Sequence, residues 1–220
     1  MKVLWVTWKD WEHPQSGGAE LVMHEIIKRQ IKDGHEVDIL TASVTGKLEE
    51  LKLDGANVVR LAGSRYVQPL VALKYFIKNC RGKYDVVIEA VNTAPYFTPF
   101  FKGKNTRSFL FYHQLARQIW FYEAPLPLAL IGYAILEPVA TFLLSRSRAR
   151  VITVSESTKK DLMKYTFNKN NISIISEGIS IKPLERLDEI KDKSRKTKEK
   201  DSKLGGKYGV PTVLSLGALR

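Results

Sequence analysis

The sequence contains a single cysteine, Cys80, among 220 residues. One cysteine excludes an intramolecular disulfide and argues against a cysteine-based metal site. His13, His24 and His35 follow one another at intervals of 11 residues, which is not a metal-ligand spacing. We therefore expect solvated histidines and no bound metal or other cofactor. The low cysteine content fits a reducing compartment, which predicts a cytoplasmic protein.

Several motifs are also missing. The N-terminal MKVLWVT has one charge and a short apolar run, without the long apolar core and cleavage site of a signal peptide. Neither G-x-G-x-x-G nor G-K-[ST] follows this predicted first strand, which disfavours a nicotinamide enzyme and a P-loop protein. No helix-turn-helix, RRM or zinc-finger pattern is present, so nucleic-acid binding is not expected.

The chain does carry a large positive charge. Its net charge is +12 and its pI is about 9.7. Residues 181–220 contribute 11 Lys/Arg and 6 Asp/Glu, a net +5, which leaves +7 for the rest. Such an excess suits an anionic membrane surface or phosphorylated substrates, and general solubility is the plainer alternative.

Short apolar, β-branched runs alternate with helical patterns along the chain. This alternation predicts an α/β fold with a Rossmann-like open parallel sheet and helices on both faces. Strands are predicted over 3–7, 36–41, 56–61, 84–90, 107–112, 150–154 and 171–176. Helices are predicted over 19–32, 68–80, 95–101 and 157–165, with a long helical region over 114–148 that is broken at Pro125, Pro127 and Pro138.

Three segments are predicted along the chain. Residues 1–182 form the Rossmann-like domain, and 183–209 form a charged linker. Its stretch 191–203 has no apolar residue and so cannot offset its ordering entropy. Residues 210–220 resemble a strand with nothing local to pair with. We expect them to be the first strand of a second domain whose remainder lies outside this chain.

In such sheets, ligands bind beyond the carboxyl ends of the strands. The loop after the first strand ends in Gly17 and Gly18, which open a helix and let its backbone N–H groups approach a ligand. A tight turn is the alternative interpretation of this glycine pair. Glu20 stands where it can complete a capping box if Gly17 is the N-cap.

Polar residues follow the later strands. His113 comes directly after 107–112, where an imidazole can bond a sugar hydroxyl or a phosphate. Glu89, Asn92 and Thr93 lie at the end of the preceding strand and are predicted to line the same crevice.

Two further candidates lie nearer the end of the predicted domain. Ser155 and Ser157 follow strand 150–154, and for each a helix N-cap is the favoured interpretation. Glu177 follows the last strand of the domain and either faces the cleft or forms part of a turn.

Five segments together resemble the GT4 family of retaining glycosyltransferases with the GT-B fold. They are SGGAE at 16–20, DGHEV at 33–37, VITVSES at 151–157, ISEGI at 175–179 and VLSLG at 213–217. The resemblance implies two Rossmann-like domains facing a cleft, with the acceptor held mainly by the N-terminal one. It implies a nucleotide-sugar donor held mainly by a C-terminal domain, and no metal.

By this resemblance, Gly17 and Gly18 approach the donor diphosphate or the acceptor. His113 matches a cleft histidine that contacts the transferred sugar, and Ser155 matches a cleft-edge residue. Glu177 stands where the family often has Asn, and Ala218 where it often has Arg after the Gly. The glutamate motif and the main donor-phosphate residues have no counterpart, so we expect the 220-residue chain to be inactive alone.

Residues 124–144 form an apolar run with one ionisable side chain, Glu137. Three interpretations stay open: buried core helices, a segment lying at a membrane interface, or a membrane span. Aromatic residues at 120–122 precede the run and Arg146, Arg148 and Arg150 follow it. The interfacial interpretation places the protein at the inner membrane face and suits a lipid-linked or membrane-associated acceptor.

Two classes of function follow. The first is a glycosyltransferase N-terminal domain that transfers a sugar once a C-terminal domain completes it. The second is a non-catalytic acceptor- or partner-binding module that needs a separate donor-binding subunit.

Overall fold

The computed structural model describes residues 1–63 and 67–176. Within them lies one eight-stranded sheet. Its strands are β1 Lys2–Val6, β2 Glu36–Ala42, β3 Glu49–Leu53, β4 Ala56–Leu61, β5 Val86–Val91, β6 Arg107–Tyr112, β7 Arg150–Thr153 and β8 Ile172–Ile174.

The strand order is β3-β4-β2-β1-β5-β6-β7-β8. All neighbours pair in parallel except β3 and β4. The chain runs outward from β1 in one direction and then returns to its other side with β5. The carboxyl ends of β1 and β5 therefore meet at the point where the strand order reverses, which is the usual ligand crevice of such sheets.

Strand β3 was not predicted from the sequence. It pairs antiparallel with β4 through a tight turn in which Asp54 and Gly55 have φ of 48° and 92°. Two consecutive positive φ values are typical of a two-residue hairpin, and Asp-Gly is a favoured pair for it. The strand EELKL is charged and lies at the sheet edge, where charge discourages pairing with other chains. Because this composition lacks a run of apolar or β-branched residues, the sequence pattern did not predict the strand.

Helices cover both faces of the sheet. The α-helices are α1 Gly18–Lys32, α2 Gln68–Tyr75, α3 Thr98–Phe101, α4 Trp120–Glu123, α5 Leu126–Ile131, α6 Glu137–Ser145 and α7 Glu156–Lys164. Turns of π-helix follow α2 at Phe76–Cys80 and join α5 to α6 at Gly132–Leu136. Short 3₁₀ turns lie at Arg117–Ile119 and Lys169–Asn171.

The core is divided by the sheet. On one face Met23 and Ile27 of α1 pack with Trp5 of β1. On the other face Leu4 packs with Phe76, at the end of α2. Adjacent strand residues point to opposite faces, so a parallel sheet covered on both faces needs continuous apolar strands. The run Val3 to Val6, at most 2% exposed, meets this need.

The helical region after β6 differs from the prediction at one proline. Pro125 is the N-cap of α5 and Pro127 lies in its first turn, where a missing N–H costs little. The predicted break at Pro138 is wrong, because the helix runs without interruption from Leu126 to Ser145. Pro138 is the second residue after the π-helical turn, whose shifted hydrogen-bond register accommodates a residue without an N–H.

Candidate functional site

A small cavity, called the polar cavity below after the four polar side chains among its eight lining residues, lies at the carboxyl edge of the sheet. Its walls come from the ends of β1, β5 and β6 and from the first turn of α1. The lining residues are Thr7, Ala19, Glu20, Met23, Ala90, Asn92, Phe111 and His113. The cavity measures about 10 Å³, room for little more than one water molecule. A ligand larger than a water molecule therefore does not fit inside this cavity.

The start of α1 forms one wall. Gly17 is its N-cap in an extended conformation, and its N–H donates to the Glu20 carboxylate at 2.6 Å. The capping role predicted for Glu20 is confirmed. Gly17 is extended, with φ of −137° and ψ of −158°, and Gly18 is the first residue of α1, so the tight-turn interpretation does not apply. A Cβ added to Gly18 would meet nothing within 4 Å, which leaves the helix start open to a ligand.

His113 is half-buried opposite this helix start. Its ring lies 4.6 Å from the ring of Phe111. Its carbonyl oxygen accepts a hydrogen bond of 3.1 Å from the Thr158 hydroxyl, which fixes the backbone at the end of β6. Ser155 does not line the cavity: it is the N-cap of α7 and accepts from the Thr158 N–H at 3.2 Å. Thr158 therefore links the two residues, because its N–H donates to Ser155 and its hydroxyl donates to the His113 carbonyl.

Glu89 does not line the crevice as predicted. Its side chain is fully buried and accepts hydrogen bonds of 2.7–3.2 Å from the N–H groups of Tyr96, Phe97 and Thr98 and from the Thr98 hydroxyl. Burial raises the pKa of this carboxyl, and these donors oppose the rise. Phe97 has φ of 58°, a strained left-handed conformation that the carboxylate holds in place. Glu89 thus fixes the loop that carries Asn92.

Glu137 has a similar task after β6. Its carboxylate accepts from the N–H groups of Ala116 and Arg117 at 2.6 and 2.7 Å and from the Trp120 indole at 3.1 Å. Burial raises its pKa as well, against the same donors. Arg117 has φ of 44°, again left-handed. The residue that interrupts the apolar run therefore anchors the segment that follows His113.

The helix Leu126–Ser145, called the apolar helix below, lies largely outside the core. It has 20 residues, is long and apolar enough to cross a membrane, and is 28% buried. Glu137 is its one Asp, Glu, Lys, Arg or His residue and is buried, so no charged side chain lies on its exposed surface. The interpretation of this segment as buried core helices therefore does not fit most of the helix surface. Arg146, Arg148 and Arg150 directly after it are all exposed.

One of the three histidines near the N-terminus, His24, differs from the prediction. The His24 ring stacks on the Trp11 ring at 4.1 Å, and its Nε2 lies 2.7 Å from an Asp54 carboxylate oxygen. It is packed rather than solvated. Within residues 1–63 and 67–176, no group of three or more His, Cys, Asp or Glu side chains is arranged to hold a metal ion.

A family model, Glycosyltransferase Family 4, matches residues 16–182. The chain belongs to glycosyltransferase family 4. The match begins at the Ser-Gly-Gly segment that opens α1 and covers the edge bearing Asn92 and His113. No curated protein matches the chain.

Solved structures share the fold of this family 4 glycosyltransferase domain. Sucrose-phosphate synthase from Thermosynechococcus elongatus superposes with a TM-score of 0.60 at 11% identity, over 88% of this chain and 52% of that one. Anabaena HepE in complex with UDP gives 0.56 at 13% identity, over 90% and 50%. HepE with UDP-glucose gives 0.52 at 17% identity, over 90% and 50%. The chain thus spans about half the length of these structures.

These findings confirm two predictions, the α/β Rossmann-like fold and the N-terminal domain of a GT-B family 4 glycosyltransferase. Of the predicted site residues, the structure brings Asn92 and His113 together beside the helix that Gly17 and Gly18 open. Glu177, the linker 183–209 and the strand 210–220 lie outside the described residues.

Two cavity residues were missed as site residues. Glu20 was predicted only as a cap, and Thr7 was placed within the first strand. Both line the polar cavity. The signal for each was its position, because Thr7 follows β1 directly and Glu20 lies one turn into the helix that begins beside it.

Proposed function

We propose that this domain holds the acceptor of a sugar transfer at the edge defined by Gly18, Asn92 and His113, and that a C-terminal domain completes the enzyme with a nucleotide-sugar donor. The observation that carries the proposal is the convergence of Asn92, His113 and the α1 start on one polar cavity where the strand order reverses.

The chemistry of this edge suits hydroxyl groups. The Asn92 amide and the His113 imidazole each offer donor and acceptor atoms. Glu20 already places a carboxylate at the α1 N-terminus, which disfavours a second anion there. A neutral hydroxyl-bearing acceptor or the transferred sugar therefore fits the edge better than a diphosphate. In this role His113 contacts the sugar, and Gly17 and Gly18 leave room for it.

The donor is proposed to be a nucleotide sugar. The support is that HepE structures sharing this fold are described with UDP and with UDP-glucose. Stabilising the departing diphosphate is the central electrostatic task in such a transfer, and we assign it to the C-terminal domain. We propose that the reaction needs no bound metal or other cofactor.

Activity assays of two lengths of chain test the proposal. The protein extended into a C-terminal domain is expected to hydrolyse or transfer from a nucleotide sugar, whereas residues 1–220 alone are not. In the extended protein, His113→Ala and Asn92→Ala should each lower kcat/KM about a hundredfold, the usual size of one transition-state contact. His35→Ala, before β2 at the opposite end of the sheet, is the matched control. Full activity of His113→Ala would contradict the assignment.

We further propose that the apolar helix rests at an anionic membrane surface on the cytoplasmic side. Its charge-free exposed surface and the three exposed arginines after it support this placement. Flotation with anionic liposomes should carry the protein upward at low salt and less at high salt. Absence of binding at low salt would contradict this membrane placement but would not bear on the proposal for the acceptor edge.

A further inference from the structure

A second cavity lies between the apolar helix, α2 and the loop after β5. It measures about 340 Å³, within the range of small-molecule sites. Its walls include Leu73 of α2, Phe97 of the loop and Trp120, with Val139, Ala140 and Leu143 of the apolar helix. All of the lining side chains are apolar or aromatic except Thr93.

Three of the polar groups in these walls are already bonded elsewhere. The Trp120 indole N–H donates to Glu137, and the N–H groups of Tyr96 and Phe97 donate to Glu89. A polar ligand entering this space would lose its hydration with few new hydrogen bonds in return, which is costly. A hydrocarbon would lose nothing by the same transfer. The chemistry of the walls thus selects an apolar occupant.

The two cavities share one loop. Asn92 lines the polar cavity, and Thr93, the next residue, begins the lining of the apolar one. Glu89 fixes the far end of this loop, at Tyr96 to Thr98. Consecutive residues of this loop thus line the two cavities, so a chain that crosses the loop from the Asn92–His113 edge reaches the apolar cavity.

We infer that this apolar cavity binds the hydrocarbon chain of an amphiphilic, lipid-linked acceptor whose hydroxyl end lies at the Asn92–His113 edge. The inference rests on the proposed function, because that function places the acceptor's polar end. The lipid is favoured as occupant by the loop that both cavities share and by charge, since the charge-free apolar helix is followed by three exposed arginines that suit anionic headgroups.

Quenching of Trp120 by a brominated chain tests the inference directly. The probe is 11,12-dibromododecan-1-ol, whose neutral hydroxyl suits the edge, used below its solubility limit. The protein carries Trp8→Phe and Trp11→Phe, so that Trp5 in the core and Trp120 at the cavity remain. We expect saturable quenching that Trp120→Phe abolishes. Unsaturable quenching, or quenching that persists in Trp120→Phe, would overturn the inference.

Filling the cavity supplies a matched pair of variants on one helix. Ala140→Phe projects into the cavity, whereas Ala134→Phe adds the same side chain to an exposed position that does not line it. Displacing two methylene groups of the chain should weaken probe binding about tenfold in Ala140→Phe. Ala134→Phe should bind within about twofold of the parent. If Ala140→Phe does not fold, Ala94→Phe blocks the cavity from its exposed loop side with the same expectation. Equal binding by parent and blocked variants would overturn the inference.

The failures of the two proposals are distinguishable. Probe binding needs no catalysis, and sugar transfer in the extended protein needs no probe. Loss of transfer in His113→Ala without saturable quenching of Trp120 would remove only the chain site. Saturable quenching together with full activity of His113→Ala would remove only the assignment of the acceptor edge. Liposome flotation of Ala140→Phe and Ala134→Phe should be equal, because both keep the exposed apolar surface.

Discussion

The loops after β5 and β6 are each held by one buried glutamate. Each loop contains one non-glycine residue in a left-handed conformation, and that residue's N–H donates a hydrogen bond to the glutamate. They differ in where the donors come from. Glu89 accepts hydrogen bonds from the N–H groups of residues 96–98, which follow it by 7 to 9 residues, after its own strand. Glu137 accepts from 116–120, which precede it by 17 to 21 residues on a different element.

Because of this difference, we expect the two glutamates to affect different parts of the molecule. Glu89 fastens a loop to its own strand, so its effect stays local. Glu137 fastens the apolar helix to a segment that begins three residues after His113. A displacement of that helix is therefore expected to reach the residues beside the polar cavity, whereas a displacement of the β5 loop is expected to stop at Asn92 and the apolar cavity.

The largest expected effect comes from Glu89→Gln. Glutamine keeps the shape but offers one acceptor oxygen, so two of the four donors face an amide NH₂ in a fully buried site. Two unsatisfied donors at about 2 kcal/mol each should lower the free energy of unfolding by about 4 kcal/mol. Chemical denaturation measures the loss, and hydrogen exchange should show it at 96–98. Glu50→Gln, an exposed position on β3, is the control. A loss no larger than that of the control would show that the carboxylate does not hold this loop.

Gly132→Ala tests the contact between the apolar helix and the β6 loop. A Cβ at this position would lie 2.2 Å from the Trp120 ring, a distance that forces one of them to move. Overpacking of this kind should cost about 3 kcal/mol. The Trp120 fluorescence should also change, because the indole is pushed away from Glu137. Gly18→Ala has open space around its Cβ and should cost no stability. Unchanged fluorescence and stability in Gly132→Ala would mean that the two elements are not locked together.

Glu137→Gln separates the two glutamates most directly. The amide oxygen can keep the Arg117 and Trp120 donors, which leaves the Ala116 N–H facing an NH₂ group. One unsatisfied donor predicts a loss of about 2 kcal/mol, half that of Glu89→Gln. Hydrogen exchange should rise both at 116–117 and in the apolar helix, while 96–98 stay protected. Exchange that rises at 116–117 alone would contradict the coupling between helix and loop.

Much of the fold was readable from the sequence because it depends on periodicity. Apolar runs such as 3–7 and 107–112 are typical of strands covered on both faces. The position of His113 at the ligand edge followed from its place after a strand. The α1 cap was readable too, since Gly17 and Glu20 are close enough in sequence for a local rule to apply.

The features that the sequence did not predict depend on contacts between residues distant in sequence, or on which face of the sheet a strand residue points to. Glu89 was placed in the crevice because it lies near a strand end, but it is a residue of β5 itself and its side chain points into the core. The partners of Glu137 lie on another element. The exposure of the apolar helix is a result of packing, and composition alone left three alternatives for it.

The smallest expected effect concerns the third loop of this edge, after β1, which is held by Glu20 from within α1. The Glu20 carboxylate accepts a hydrogen bond of 2.6 Å from the Gly17 N–H at a helix start whose two glycines are exposed. Loss of a cap predicts about 1 kcal/mol for Glu20→Ala, whereas Glu20→Gln keeps an acceptor and should lose only a few tenths. Thermal unfolding of the two variants measures both values. Since local caps act near their own helix, hydrogen exchange at 96–98 and 116–120 should stay unchanged. A change at either place would mean that the three loops act as one unit.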